Sequence, residues 1–338
     1  MKILVTGASG FLGAAVVERL LAHGYTDVRC NVRQRSGTVK LEALRRRYPE
    51  ATLQYCVGNL KYPEHAARAA DGAQTLFHLA AGLKGAAADL FSDSVVASRN
   101  LLDAVGENRT IRIVLVSSLS VYGVAGLGRG AQVSEDTPLE ANPERRDYYS
   151  YSKLCQEELF REYQRKRGFE LVVLRPGVIY GPGGGHFSDR VGLMVGSRLL
   201  YLGGDNVLPL TYLDNCAEAV VVAGTARHTA GETFNVYDDD LPTCRQYLRA
   251  YQQQVRKVRA IPVSYFGLRL LSWILERYHR YSKGQLPSVL TQYKVASSWA
   301  GNRFDNSKLR SIGWRPLVST PEGLLRAFTA FRAELRSA

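Results

Sequence analysis

Short, uninterrupted apolar runs alternate with longer segments of helical periodicity through the first half of this chain. The apolar runs cover residues 2–6, 28–32, 53–57, 75–79 and 113–117, and a sixth, 171–174, follows a helical segment that starts near Tyr149. The other helical segments cover 11–23, 39–47, 63–69 and 91–105. Continuous Ile, Leu and Val runs are typical of strands buried on both faces, as in a parallel sheet covered by helices. The pattern therefore predicts a doubly wound α/β fold.

A glycine-rich turn joins the first predicted strand to the first predicted helix. The segment ILVTGASGFLG places Gly7, Gly10 and Gly13 there, and the helix starts at Phe11. Glycine lets a phosphate approach the backbone closely, and the free N–H groups at a helix start favour an anion. A glycine turn can also serve only as a connection. In this strand–turn–helix context, however, it predicts a dinucleotide site.

The residues after the second strand bear on which dinucleotide is bound. NAD sites usually place a carboxylate there for the ribose diol, whereas NADP sites use an arginine for the 2′-phosphate. This chain has Asn31 at that position, followed by Arg33, Arg35 and Lys40. A guanidinium forms charge-assisted, bidentate bonds to phosphate. The sequence therefore favours NADP(H) over NAD(H). The alternative is that Arg33 and Lys40 are exposed loop residues with no role in cofactor binding.

The pattern changes after Arg175, where the chain enters the Gly/Pro-rich stretch RPGVIYGPGGG and then mixed helices and short strands. We expect residues 1–175 to form an NAD(P)-binding domain around a parallel Rossmann sheet, with strands contributed from the later part. Residues 176–338 are expected to form a smaller, mainly substrate-binding C-terminal region that is interwoven with the first.

Charge and cysteine content exclude several classes of protein. The net charge of +13 suggests nucleic acid binding, but the basic runs are short and dispersed, so we expect solvated helix faces and an anionic ligand instead of nucleic acid. The five cysteines contain no C-x-x-C pair, which argues against a disulfide framework and a zinc site, and no metal is expected. No apolar stretch resembles a signal peptide or a transmembrane helix, so a cytoplasmic location is expected.

The stretch DYYSYSKLCQEELF opens a predicted helix with three tyrosines and one lysine. Side chains four residues apart share a helix face, so only Tyr149 is paired with Lys153. A phenol titrates near about 10, and a neighbouring ammonium lowers its pKa toward the range that suits acid–base catalysis. The serines of VLVSSLSVYG follow the fifth strand, at the sheet edge where ligands bind. We therefore expect Tyr149 to transfer a proton near these serines.

The motifs TGASGFLG, HLAA, SSLSVYG, YSYSK and LRPGVIYGPG occur in this order, and the likeness extends to DNSKLRSIGWRP near residue 310. Together they resemble the extended short-chain dehydrogenase/reductase superfamily, which includes NAD(P)-dependent epimerases/dehydratases and 3β-hydroxysteroid dehydrogenase-like enzymes. The resemblance implies a triad: Ser118 polarises the substrate oxygen, Tyr149 transfers the proton, and Lys153 tunes Tyr149 and binds the nicotinamide ribose. Ser117 is the structural alternative to Ser118, and Ser120 is expected to touch substrate.

The resemblance also implies cofactor roles for residues that follow the other strands. With those inferred above, the predicted cofactor-binding set is Gly7, Gly10, Phe11, Leu12, Gly13, Arg33, Lys40, Asn59, Leu60, Leu79, Ala80, Ala81, Tyr149, Lys153, Pro176 and Val178. Asn59 departs from the family, which usually has aspartate there, although its amide can still bond the adenine amino group. His78, just before Leu79, is expected to pack or to bond the backbone.

Two substrate classes compete within the superfamily. Nucleotide-sugar enzymes commonly carry an arginine before a V-D-D segment, but the matching stretch NVLPLTYLDNCAEA has Leu208 and Pro209 there. The segment IPVSYFGLRLLSWILERYHRYSKGQLP instead predicts an amphipathic helix, similar to the region that covers lipophilic substrates in 3β-hydroxysteroid dehydrogenases and dihydroflavonol reductases. Such a basic amphipathic helix also suits peripheral membrane contact through 264–281, and a lid packed on the core is the alternative.

The sequence thus predicts an NAD(P)(H)-dependent oxidoreductase of the extended short-chain type. It would interconvert a ketone and a secondary alcohol by hydride transfer, on a lipophilic small molecule of the hydroxysteroid or dihydroflavonol kind. The alternative is a nucleotide-sugar 4-epimerase or 4-ketoreductase. The glycines at 183–185 suggest a flap, beside which His186 is a candidate substrate ligand. By analogy with the family, helices 91–105 and 149–167 would pair across a homodimer.

Overall fold

Strands and helices alternate along residues 2–106, 111–281 and 290–337, which the computed structural model describes. The strands are β1 (Ile3–Thr6), β2 (Asp27–Val32), β3 (Thr52–Val57), β4 (Thr75–His78), β5 (Arg112–Val116), β6 (Gln132–Val133), β7 (Glu170–Pro176), β8 (Val178–Tyr180), β9 (Gly192–Val195), β10 (Arg198–Tyr201), β11 (Leu210–Tyr212), β12 (Thr233–Val236), β13 (Arg259–Pro262) and β14 (Arg303–Phe304). The α-helices are α1 (Phe11–Ala22), α2 (Val39–Arg47), α3 (Pro63–Ala70), α4 (Ala87–Phe91), α5 (Ala97–Val105), α6 (Tyr148–Arg167), α7 (Leu213–Thr225), α8 (Cys244–Gln254), α9 (Tyr265–Tyr281), α10 (Gln292–Trp299), α11 (Ser307–Ser311) and α12 (Thr320–Ser337).

The central sheet has seven strands in the order β12-β7-β5-β4-β1-β2-β3. Every neighbouring pair is parallel. The strand order reverses between β1 and β4. The connections that follow these two strands leave toward opposite faces of the sheet, which opens a crevice at its carboxyl edge. This topology confirms the predicted doubly wound Rossmann sheet, and the six predicted strands end within two residues of those observed.

Successive side chains along each strand point to opposite faces of the sheet and pack against the helices on both faces. Ile3 and Val5 pack into the cluster formed with α1, α2 and α7. Leu4, between them, packs into the cluster formed with α3, α5 and α6. All three side chains are buried. The apolar runs are continuous because both faces of the sheet are covered by helices, so every side chain of a strand is buried.

Helix α6 carries the predicted tyrosine–lysine pair. It begins after Asp147, whose side chain accepts hydrogen bonds from the backbone N–H and the hydroxyl of Ser150, both at 2.8 Å. It ends at Gly168, which adopts the left-handed conformation with φ +74°. A side-chain cap and a glycine stop define both helix ends and fix the register of the side chains between them.

The segment predicted as one helix over 91–105 is interrupted. A π-helical turn at Ser92–Val96 separates α4 from α5. Beside it, the Ser94 hydroxyl accepts a hydrogen bond from the Gly82 amide at 3.0 Å, and the Ser98 hydroxyl donates to the Ser94 carbonyl at 2.5 Å. Such turns are frequent at functional sites because they redirect side chains.

The later part of the chain contributes β12 to the edge of the main sheet and α7 to its face. The remaining strands form a small sheet in the order β13-β10-β9 and the pairs β11-β8 and β14-β6. Tyr247 and Tyr251 of α8 pack their rings against Phe328 of α12. No described helix combines the length and the hydropathy that crossing a bilayer requires.

Helix α9 packs on the protein through a narrow stripe and exposes the rest of its apolar surface. Leu268 is buried against Val295 and Trp299 of α10. The exposed large residues are Tyr265, Phe266, Leu270, Leu271, Trp273, Ile274, Leu275, Tyr278 and Tyr281. Phe266 is 78% exposed and Ile274 is 47% exposed. The amphipathic helix predicted from the sequence is present, but most of its apolar side faces outward, which is not the arrangement of a lid packed on the core.

Candidate active site

A cavity of about 300 Å³ opens at the carboxyl edge of the sheet, where the strand order turns. Fifteen predicted site residues line it: Gly7, Gly10, Phe11, Leu12, Gly13, Arg33, Asn59, Leu60, Leu79, Ala80, Ala81, Ser118, Tyr149, Lys153 and Pro176. Further lining residues to which the sequence analysis gave no role are Ser9, Leu83, Asp93, Ala97, Val116, Gly177 and Ile179. Segments distant in sequence thus meet at one site, as parallel topology requires.

The glycine turn has the shape that a diphosphate needs. Gly7 has φ +66°, and a Cβ on it would lie 3.1 Å from the Ala80 amide nitrogen. A Cβ on Gly13 would lie 2.0 Å from the Gly7 carbonyl oxygen, so only glycine lets α1 pack on the turn. The residue before α1, Gly10, has no side chain to cap the helix, so the first N–H groups remain available to an anion. These residues fit a dinucleotide.

The far end of the cavity carries charges of both signs. The Asn31 amide donates to the carbonyl groups of Cys56 and Gly58, both at 3.2 Å, and is therefore committed to the backbone. Arg33 has a 73% exposed side chain and lies 3.4 Å from the Asp93 carboxylate. Lys61 lies 3.2 Å from the other oxygen of Asp93. Because Asp93 comes from the π-helical turn, sequence reasoning about the end of β2 did not find it.

Tyr149 and Ser118, two members of the predicted triad, both line this cavity. Burial raises the pKa of Tyr149, the Ser118 hydrogen bond opposes this shift, and the nearby Asp147 carboxylate adds to it. The other tyrosines of the stretch lie elsewhere, since Tyr148 is 59% exposed and Tyr151 packs edge-on against another ring. Tyr149 is thus held as a neutral phenol, able to donate a proton.

Lys153 is buried and lines the same cavity. Its ammonium group donates to the Val116 carbonyl at 2.7 Å and to the Gln156 side-chain carbonyl at 2.6 Å. Burial lowers the pKa of Lys153 to about 7, against the opposing effect of the Glu157 carboxylate. The effect of Lys153 on the pKa of Tyr149 stays a prediction.

Gln156 connects the lysine to the cofactor segment. Its Nε2 donates to Ser98 Oγ at 2.9 Å and to the Ala80 carbonyl at 3.2 Å, and lies 3.2 Å from His78 Nε2. The other ring nitrogen of His78 hydrogen-bonds to Thr6 Oγ1 at 2.9 Å. Burial lowers the pKa of His78 to about 3, with a contribution from the Lys153 charge. A neutral, fully bonded histidine fits the packing role predicted for His78, whereas the sequence gave no signal for Gln156.

Ser117 belongs to a different network. Its hydroxyl donates to Glu157 at 2.6 Å, and Glu157 also accepts from the Arg175 guanidinium at 3.1 Å. Burial raises the pKa of Glu157, but the hydrogen bonds and charge of Arg175 outweigh this effect and lower it. Ser117 is thus engaged in a buried ion-pair network, and Ser118 is the serine that faces Tyr149.

The remaining predicted residues lie outside the cavity. Lys40 is exposed on α2, and the Ser120 hydroxyl is buried without a partner in the described chain. Val178 lines a second cavity of about 190 Å³, whose wall also includes Ile179, Tyr180, Phe187, Leu208, Leu210 and Tyr247. His186 stacks on Phe331 at 4.3 Å and hydrogen-bonds to the Tyr251 hydroxyl at 2.8 Å. These contacts, inside an aromatic cluster, do not place His186 as a substrate ligand.

The match to known families agrees with this geometry. Residues 3–236 match the model of the NAD dependent epimerase/dehydratase family. The chain belongs to this family. The matched region runs from β1 to β12 and therefore covers the whole central sheet, the glycine turn and the tyrosine–lysine helix.

Relatives of this epimerase/dehydratase family member include both epimerases and reductases. It is 29% identical over 251 residues to an uncharacterized UDP-glucose epimerase, YtcB, of Bacillus subtilis, covering 70% of this chain and 76% of that protein. It is 27% identical over 349 residues to a 2-alkyl-3-oxoalkanoate reductase of Shewanella oneidensis, covering 95% and 84%.

A solved structure of UDP-glucuronic acid 4-epimerase from Bacillus cereus in complex with NAD has the same fold. Its TM-score is 0.73 at 19% identity, covering 100% of this chain and 99% of that one. The resemblance to the extended short-chain dehydrogenase/reductase superfamily is therefore confirmed, and the protein is an NAD(P)-dependent enzyme of that type.

Proposed function

We propose that this protein is an NADP(H)-dependent oxidoreductase that interconverts a ketone and a secondary alcohol on a lipophilic substrate. The observation that carries the proposal is that Ser118 and Tyr149 line the same cavity as the glycine turn. A phenol and a hydroxyl on the wall of a dinucleotide cavity are the groups that a carbonyl oxygen needs when a hydride reaches its carbon.

When bound, the nicotinamide cofactor supplies or accepts the hydride. In the reductive direction Ser118 donates a hydrogen bond to the ketone oxygen, and Tyr149 donates its proton to the same oxygen. The raised pKa of Tyr149 keeps this proton in place at neutral pH until the oxygen becomes basic. Lys153 would bond the ribose hydroxyl groups of the bound cofactor and would return a proton to Tyr149 after the transfer.

Aliphatic and aromatic side chains beside the cofactor cavity support a lipophilic substrate. Ile179 lines both cavities, and Phe187, Leu208 and Leu210 line the second, where about half of the exposed surface is polar. The relative named 2-alkyl-3-oxoalkanoate reductase, which aligns with nearly the whole chain, supports ketone reduction on an alkyl compound.

The charge at the far end of the cavity supports NADP(H). The residues that directly follow β2 include no carboxylate, and among the described residues the ion-pair partner of exposed Arg33 is Asp93, at 3.4 Å. An exposed ion pair contributes about 0–1 kcal/mol, so a 2′-phosphate can take the guanidinium from it. Asp93 and Lys61 would then flank the adenosine ribose.

A nucleotide-sugar 4-epimerase or 4-ketoreductase is the second candidate. It is favoured by the similarity to the protein named UDP-glucose epimerase. The catalytic groups would be the same, but the substrate would carry a diphosphate. The buried, apolar Leu208 near the substrate end does not offer a diphosphate any donor.

Tyr149→Phe tests the catalytic assignment. We expect NADPH-dependent reduction of a panel of lipophilic ketones by the wild type, and a loss of at least about 100-fold in kcat for the variant, with unchanged NADPH affinity. Tyr148→Phe, on the neighbouring exposed residue, is the matched control. Full turnover by Tyr149→Phe would contradict the assignment. Thermal protection by UDP-sugars, together with no ketone turnover, would favour the second candidate.

The outward face of α9 supports contact with an anionic membrane surface through 264–281. Its exposed apolar side chains are accompanied by Arg277, and exposed Arg198 lies opposite Arg259 in the neighbouring small sheet. Neither Arg198 nor Arg259 has an ion-pair partner among the described residues. Apolar side chains for the acyl boundary and basic ones for the headgroups are the combination that peripheral helices use.

Sedimentation with vesicles tests the membrane contact. We expect binding to vesicles that contain phosphatidylglycerol, and a loss of at least about tenfold in partitioning for Phe266→Ser combined with Ile274→Ser. Leu325→Ser, at a residue 52% exposed on α12, is the matched control. Equal binding of the double variant and the control would contradict the proposal.

A further inference from the structure

Asp93 is the one carboxylate among the described residues that line the cofactor cavity. Its two oxygens contact two cations: one lies 3.4 Å from Arg33 Nη1 and the other lies 3.2 Å from Lys61 Nζ. The three residues come from three different connections, since Arg33 follows β2, Lys61 follows β3 and Asp93 comes after β4. The far end of the cavity therefore holds a charge cluster in which one carboxylate is shared by two cations.

The backbone fixes the carboxylate and one of the cations at this end of the cavity. Asp93 belongs to the π-helical turn, where the hydroxyl of its neighbour Ser94 accepts a hydrogen bond from the Gly82 amide at 3.0 Å. The Asn100 side chain donates to the Lys61 carbonyl at 2.8 Å. Both charges are therefore built into the wall of the cofactor site.

The position of Asp93 acts against a cofactor that carries a phosphate on its adenosine ribose. Because the side chain of Arg33 is 73% exposed, its ion pair with Asp93 restrains the guanidinium little and adds little preorganisation. A 2′-phosphate carries about two negative charges near neutral pH and must displace Asp93 from both cations. The displaced carboxylate then repels the phosphate, because like charges that remain close disfavour binding. NAD(H) has a neutral hydroxyl at this position and meets neither cost.

We propose that Asp93 sets the balance between NADP(H) and NAD(H), by lowering the affinity for a 2′-phosphate that Arg33 and Lys61 bind together. This inference rests on the proposed use of NADP(H) and deepens it. It assigns Lys61 as a second phosphate-binding cation and Asp93 as the residue that limits the preference for NADP(H). A carboxylate from the turn after β4 thus takes the selective role that a carboxylate after β2 has in NAD sites.

Calorimetric titration of the protein with NADP+ and, separately, with NAD+ tests the role of Asp93. Asp93→Asn keeps the shape of the side chain and removes its charge. We expect the dissociation constant of NADP+ to fall about three- to tenfold, the range for two exposed ion pairs, and that of NAD+ to change less than about twofold. Because the cluster is partly exposed, the gain should shrink when the salt concentration rises from about 0.05 M to about 0.5 M.

Lys61→Met tests the second cation in the same titrations. We expect it to weaken NADP+ binding about three- to tenfold and to change NAD+ binding less than about twofold. An equal loss for both cofactors would overturn the assignment of Lys61. The matched control for the carboxylate is Asp89→Asn, which makes the same change of charge at an exposed residue of α4 outside the cavity. It should bind both cofactors as the wild type does.

An unchanged ratio of the two affinities in Asp93→Asn, or weaker binding of NADP+, overturns the inference. Near-ultraviolet circular dichroism shows whether the variant is folded, and Asp93→Ser replaces it if it is not. The proposed function fails by different results. If the wild type reduces no ketone, the proposed reaction fails while the titrations still decide the role of Asp93. If Arg33→Ala favours NAD+ but Asp93→Asn leaves the ratio unchanged, the use of NADP(H) stands and this inference alone fails.

Discussion

Replacing Gln156 with leucine should shift the acidity of the buried lysine. In the structure the Lys153 ammonium has two acceptors, the Val116 carbonyl at 2.7 Å and the Gln156 side chain at 2.6 Å. Gln156→Leu keeps the side-chain volume roughly and removes one acceptor. The charged form of the lysine loses stabilisation while the neutral form does not, so the pKa of Lys153 must fall further.

The size of the shift follows from the burial of this pair. A hydrogen bond to a charged group contributes about 1.5–3 kcal/mol, and about 1.4 kcal/mol corresponds to one pKa unit. The pKa of Lys153 should therefore drop from about 7 by about one to two units. At pH 7 the protonated fraction falls from about one half to about 1–10%. Activity that needs the ammonium form then decreases about five- to fiftyfold at this pH and recovers at lower pH.

The assay is the pH profile of kcat/KM for a ketone that the wild type reduces. The limb that reflects the protonated lysine should move about one to two units toward acid in Gln156→Leu. The control is Gln164→Leu, on the same helix and only half-buried. Nuclear magnetic resonance of lysine labelled at Cε reports the same titration without turnover. Superimposed profiles for Gln156→Leu and wild type, with both proteins folded, would refute the assignment of Gln156 as the group that sets the charge of Lys153.

Three further predictions concern buried charge and cofactor choice. Below about pH 6.5, His78 takes up a proton in the unfolded protein but not in the folded protein, so the free energy of unfolding should fall by up to about 1.4 kcal/mol per pH unit. His78→Gln should make this pH dependence shallower in urea titrations. Glu157→Gln removes the negative charge that pairs with Arg175 and should lower the free energy of unfolding by about 3–5 kcal/mol in the same assay. A loss below about 1 kcal/mol would contradict this prediction. Arg33→Ala should weaken NADP+ binding about tenfold more than NAD+ binding in calorimetry, and an equal loss would remove the argument for NADP(H).

The sequence predicted the sheet well because the signal for a doubly buried strand is local. Each apolar run is a property of five or six neighbouring residues, and the glycine turn follows from the lack of a side chain. The helix over 91–105 was predicted without its π-helical turn, because hydrogen bonds to Gly82 and between Ser94 and Ser98 accompany that turn. Periodicity within the segment does not contain this information.

The sequence predicted those site residues that belong to a recognisable motif. Tyr149 and Lys153 are four apart on one helix, and the structure places both at the cavity. Gln156 lies on the same helix, yet its contacts with His78 and Ala80 depend on the packing of α6 against β4. The apolar face of α9 was also visible in the sequence. Periodicity alone did not show which side of the helix packs on the protein.

The position of β12 has a consequence for synthesis on the ribosome. Strand β7 ends at Pro176, but its outer neighbour, Thr233–Val236, emerges about 60 residues later. At about 5–20 residues per second, the nascent chain spends roughly 3–12 s with an open β7 edge able to pair with other chains. Helix α7, which covers the sheet face beside α1, is made within the same interval. A polypeptide released at residue 176 would keep that edge indefinitely, so we expect such a fragment to need chaperones or to aggregate.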